Sequence, residues 1–231
     1  MKDVTVRQLE MASRVVGFLR ENPITFRKGS VGADLVEQIR KQVDEIKSLT
    51  ATQSAQFGLS RANSRTRGAA RESLNATAER ISRTAQAIEV TNPGMEARFQ
   101  AIRGVGDAKL ETRAKALAEN ARPYVKEFVA FEMEPEFVTA LESKIEAFTE
   151  AVANHKAIRA AHAATSQLID DAMARALTTL DQLDAIMGNK LGDNTGLQLK
   201  WENVRRVERR WISKKTEETT GKSPTPLAPA A

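Results

Sequence analysis

The chain has no cysteine, which excludes disulfides, thiol nucleophiles, thiolate zinc sites and cysteine-held iron–sulfur clusters. Aromatics are scarce, with eight Phe, two Trp and one Tyr among 231 residues. No stretch of about 18 apolar residues is present to cross a membrane, and residues 1–16 lack the apolar run of a secretion signal. A cytoplasmic protein is the expectation. Strand signals are missing too: there is no sustained apolar/polar alternation and no Asn-Gly or Asp-Gly hairpin turn.

What is present favours helix. Thirty-five alanines accompany a charged fraction of 28%, the composition of long helices. The reading is an all-α, elongated antiparallel bundle occupying 1–218, followed by a disordered Pro-containing tail over 219–231. The first helix is placed at 6–21, with Thr5 and Gln8 spaced as a capping box. Leu9, Ala12, Val16 and Leu19 form its apolar stripe. Asn92-Pro93-Gly94 and Gly104-Val105-Gly106 bracket a short helix, and Asp107 is placed to cap another over 107–121. A last basic, amphipathic helix is expected over 195–215.

Two long segments, 34–91 and 136–187, carry the architecture. A single helix over the first would be about 87 Å long. Its seven-residue seam reads Ile39, Ile46, Gln53, Ser60, Arg67, Leu74, Ile81, Ile88, with a neighbouring row from Val36 to Ala85. The second segment repeats the design, with Val138, Ile145, Val152, Arg159, Ser166, Met173, Leu180, Met187 beside Leu141, Phe148, His155, His162, Ile169, Ala176, Leu183. Such a stride suits coiled-coil-like antiparallel pairing. In both segments the seam is apolar at its ends and polar in the middle. Gly58 and Gly68 fall in that middle, so a break there competes with a continuous helix. Gly188 is placed to end the second segment.

Antiparallel packing would set Gln53, Ser60, Asn63 and Arg67 against His155, Arg159, His162 and Ser166. That polar layer fixes register, lines a site for a small anionic ligand, or is simply exposed for want of a covering element.

Catalytic and metal chemistry find no support. His155 and His162 would stand about 10.5 Å apart along one helix, whereas a shared metal needs both nitrogens at about 2.1 Å. His162, Ser166 and Asp170 put the serine between the other two, whereas a triad needs histidine in the middle. Gly221-Lys222-Ser223 lacks the first glycine and preceding strand of a phosphate-binding loop. Glu142, Glu146 and Glu150 read as a solvated face. No enzyme activity and no cofactor are expected.

Ile102-Arg103-Gly104-Val105-Gly106 followed by a helix resembles the hairpin of helix-hairpin-helix DNA-binding modules. The resemblance covers about twenty residues, 99–117, and implies phosphate contact by backbone N–H groups near Gly104 and Gly106, with Lys109 and Arg113 adding charge. Leu110 departs from the small residue that family tends to carry, and Asp107 brings negative charge to the implied site.

Two basic clusters complete the reading. Arg61, Arg65, Arg67 and Arg71 have no acidic residue among them. Lys200, Arg205, Arg206, Arg209, Arg210, Lys214 and Lys215 crowd the last helix, beside Trp201 and Trp211. By contrast, 124–189 holds five basic and eleven acidic residues. The leading expectation is a non-enzymatic structural or protein-interaction bundle that self-associates. The alternatives are nucleic-acid binding through the basic clusters and the glycine turn, and anion binding at the polar mid-seam. Peripheral membrane contact through the last helix is a lesser reading.

Overall fold

The computed structural model describes residues 2–208, and among them the chain is helical with no strand. Seven α-helices follow one another: α1 Asp3–Glu21, α2 Val31–Ile88, α3 Met95–Arg98, α4 Asp107–Ala121, α5 Val125–Ala130, α6 Phe137–Leu191 and α7 Thr195–Arg205. A 3-10 turn, Arg122–Tyr124, leads into α5. No described helix is long and apolar enough to cross a membrane.

α2 begins where Ser30 accepts the Ala33 N–H in its side-chain oxygen, at 3.4 Å. It then runs unbroken through Gly58 and Gly68, so the expected competing break does not occur. α6 likewise continues past Gly188, and Gly192 closes it. α1 starts three residues earlier than expected. Thr5 therefore lies inside the helix, buried, and no side-chain cap forms at Lys2. Asp107 is the first residue of α4 rather than its cap, which is Gly106.

α2 and α6 pack antiparallel along their whole length. The pairs Glu45–Arg175, Gln53–Ser166, Ser64–His155 and Thr77–Lys144 mark the register. Steps forward along α2 are matched almost residue for residue by steps back along α6. The seam row on α2 is buried at its ends, Ile39, Ile46, Leu74, Ile81 and Ile88, as its apolar stride requires.

Two separate cores result. The first joins the start of α2 and the end of α6 to α1 and α7, with Phe18 tilted against Trp201 at 5.6 Å. The second joins the end of α2 and the start of α6 to α3, α4 and α5. Its centre is a run of rings, Phe99, Phe128 and Phe137, with centroids 5.2 and 5.1 Å apart. Glu89 ties down the turn after α2, accepting the N–H of Gly94 at 2.9 Å and of Glu96 at 2.7 Å. Those backbone donors hold its carboxyl below the usual carboxylate range.

Candidate functional site: the two-helix waist

Between the cores, no other described element covers α2 and α6. The helical step makes this waist about 27 Å long, from Leu49 beside Asp170 to Arg67. Its seam is held by short polar links. Gln53 donates to Ser166 at 2.8 Å, and the Ser166 hydroxyl donates to the His162 carbonyl at 2.9 Å. His155 meets the Ser64 hydroxyl at 3.3 Å.

Of the expected mid-seam layer, only Gln53 is buried. Ser60, Asn63, Arg67, His155, His162 and Ser166 are half-buried, and Arg159 is exposed. The expected facing of the two helices is present, but His155 takes Ser64 rather than Ser60 or Asn63 as its partner. Among the described residues no group of three or more His, Asp or Glu is placed to hold a metal ion.

The charge pattern of the waist is its most distinctive feature. Residues 51–71 carry four arginines, and 151–169 carry Lys156, Arg159 and two histidines. Neither stretch contains a single Asp or Glu. Residues three and four apart share a helix face, so the charges sort by side. On one flank of the seam α2 presents Phe57, Arg61, Arg65 and Gly68, while α6 presents Lys156, Arg159 and Ala163. Antiparallel helices bring these flanks to the same side. α4 lies on the same side, where Asp107 binds Arg67 and Arg71 of α2. The Glu111 carboxyl sits below its ordinary range chiefly through the Lys115 hydrogen bond, with the field of Lys156 adding.

The four arginines of α2 divide in two. Arg67 and Arg71 are half-buried and spoken for: Arg67 pairs with Asp107 at 2.9 Å, and Arg71 binds both Asp107 and the Val105 carbonyl. Arg61 and Arg65 are exposed, as is Arg159, and none of the three makes an ion pair among the described residues. Arg61 lies over the half-exposed Phe57 ring at 4.6 Å. This cationic side is bounded by two helix starts. Lys2, ahead of α1, binds Asp170 at 2.8 Å at one end, and Asp107 of α4 stands at the other.

The opposite side of the waist is uncharged. α2 shows Thr52, Ala55, Leu59 and Thr66 there, and α6 shows Ala157, Ala161 and Leu168. Leu59 is 55% exposed and Leu168 53%. Thr52 and Thr66 donate their hydroxyls back to the carbonyls of Ser48 and Ala62, which leaves their methyl groups outward.

The remaining expected contacts lie elsewhere. In the 99–106 turn Gly104 takes a left-handed φ of 63°, but the helix before it is the single turn Met95–Arg98. The Val105 carbonyl and Asp107 beside it are engaged by Arg71, and Lys109 is exposed on α4. α7 ends at Arg205, and 206–208 are not helical, so the last helix is shorter than expected. Arg205 is paired with Asp181 at 2.8 Å and with Asp184. The Arg206 carbonyl accepts from Arg14 at 2.6 Å. Arg209, Arg210, Trp211 and the 219–231 tail lie outside the described residues.

Sequence reasoning named the α2 arginines but missed Lys156, Leu59, Leu168 and the separation of the two sides. The signal was available as two carboxylate-free stretches that the antiparallel register sets side by side. Compared with known proteins, the chain matches no family model, no curated protein and no solved structure.

Proposed function

We propose that this chain is a non-enzymatic helical interaction protein that self-associates through the uncharged side of its waist. The observation that carries the reading is a strip of Leu, Ala and Thr methyl surface with no charge on it, which no other described residue covers. Isolated exposed leucines are ordinary, but a continuous neutral strip on two helices is a packing surface. Small residues let helices approach closely, and two such waists laid together complete a four-helix arrangement. A two-fold contact of this kind brings no like charges together and leaves the cationic sides facing outward. At about 27 by 20 Å the strip offers roughly 500 Å² per copy, at the low end for specific interfaces, so the association is reversible.

Sedimentation velocity over a hundredfold range of protein concentration tests it. The expected result is a concentration-dependent dimer that Leu59→Glu with Leu168→Glu converts to monomer. Both leucines point to solvent within one chain, so the variant keeps its fold. Monomer at every concentration, or an unaltered dimer in the double variant, overturns the proposal.

A further inference from the structure

We infer that the cationic side of the waist binds the phosphate backbone of a nucleic-acid duplex, without base specificity. The inference concerns the side opposite the self-association strip and does not rest on that reading.

Three observations converge. Residues 51–71 and 151–169 together hold six Lys and Arg and no carboxylate. Three of the arginines, Arg61, Arg65 and Arg159, are exposed and make no ion pair among the described residues. The cations also stand in two rows, one per helix: Arg61 and Arg65 on α2, Lys156 and Arg159 on α6.

A second copy on this side would set cation against cation, so the complement must be anionic. The two rows decide which anion. Packed helices hold their axes about 8–10 Å apart, and the long Arg and Lys side chains splaying outward from them reach the phosphate strands on either side of a major groove about 12 Å wide. The exposed cations span about 6 Å on α2 and about 4.5 Å on α6, which reaches about two phosphates of each strand at 3.4 Å each. Of the four exposed cations on this side, Arg61, Arg65 and Arg159 carry the planar fork that engages phosphate oxygens in pairs. Nothing on this side reads bases: Phe57 is its one aromatic ring, and Arg61 already covers it.

The test is fluorescence anisotropy with the full chain, using a labelled 20-base-pair duplex of random sequence and a labelled polyglutamate peptide, at about 50 and 200 mM salt. The duplex is expected to bind at the lower salt and to weaken steeply at the higher. Arg61→Ala, Arg65→Ala and Arg159→Ala together should lower the affinity at least tenfold and reduce the salt slope by about 3, close to one per lost phosphate contact. These side chains hold no ion pair, so circular dichroism of the triple variant should match the parent. Absence of duplex binding at the lower salt overturns the inference, as does equal binding by the triple variant. Tighter binding to polyglutamate than to duplex also overturns it, and makes the partner an acidic protein.

Discussion

Gly58 and Gly68 sit in the interior of α2, where each exposes backbone and gives up about 0.8–1 kcal/mol relative to alanine. Neither has a packing reason to be glycine: a Cβ built at either position meets nothing within 4 Å. Neither adopts a positive φ, so alanine suffers no strain. Replacing both with alanine should therefore stabilise the protein. The two positions are about 15 Å apart along the helix, far enough for the effects to add. The expected gain is about 2 kcal/mol, a large share of the 5–15 kcal/mol typical of folded domains. For a chain of this size that corresponds to a rise of roughly 4–8 °C in Tm. Thermal and urea unfolding, followed by helical circular dichroism, measure it. Hydrogen exchange reports whether the amides of 55–71 gain protection. If both substitutions destabilise, or if protection in 55–71 falls, α2 is not a continuous solvent-facing helix and the waist as described is wrong.

Other perturbations separate the two ends and the waist. Trp201 is buried against Phe18 and donates to Asp184 at 2.8 Å. Trp201→Ala should cost about 3–5 kcal/mol at that end, with loss of amide protection in α1 and α7 but not in α4; equal loss in α4 would show that the cores are not separate. Asp107→Ala should release Arg67 and Arg71 to the cationic side and steepen the salt dependence of duplex binding by up to about 2; a shallower slope would show that the two arginines do not reach the phosphates. Glu89 has a lowered pKa in the folded protein, so the stability it supplies is complete above about pH 4.5 and is lost as pH falls through the lower folded value. Glu89→Gln should flatten the acid limb of the stability profile, and an unchanged limb would remove the Gly94–Glu96 contacts from the account.

The pairing of α2 and α6 was legible because burial follows a seven-residue stride, and both seam rows keep that stride from end to end. The two cores were legible in outline, since Ile39, Ile46, Ile81 and Ile88 mark where the seam turns apolar. Helix ends were less so. Thr5 has the spacing of a capping residue, but α1 starts upstream of it and packs it inside. Gly188 has the composition of a stop, but α6 gains enough from burying Met187 and Leu191 to run through it. The sides of the waist were hidden by arithmetic over long segments. The count over 124–189 merges acidic ends with a cationic middle, and the register that puts Arg159 beside Arg61 belongs to the fold. The partner of His155 was missed for the same reason, because Ser64 lies on the second row of α2 rather than on the seam itself.

Among the described residues, two packed ends are joined by a stretch of α2 and α6 that no other element covers. Native-state hydrogen exchange, resolved along α2 and recorded at a concentration where the chain is monomeric, tests it most directly, because helical amides open more readily where few buried contacts hold them. The account predicts slow exchange around Ile39–Ile46 and again around Leu74–Ile88, with markedly faster exchange between Ser54 and Thr66. Uniformly slow exchange along the whole of α2 would mean that another part of the chain covers the waist, and would contradict the account.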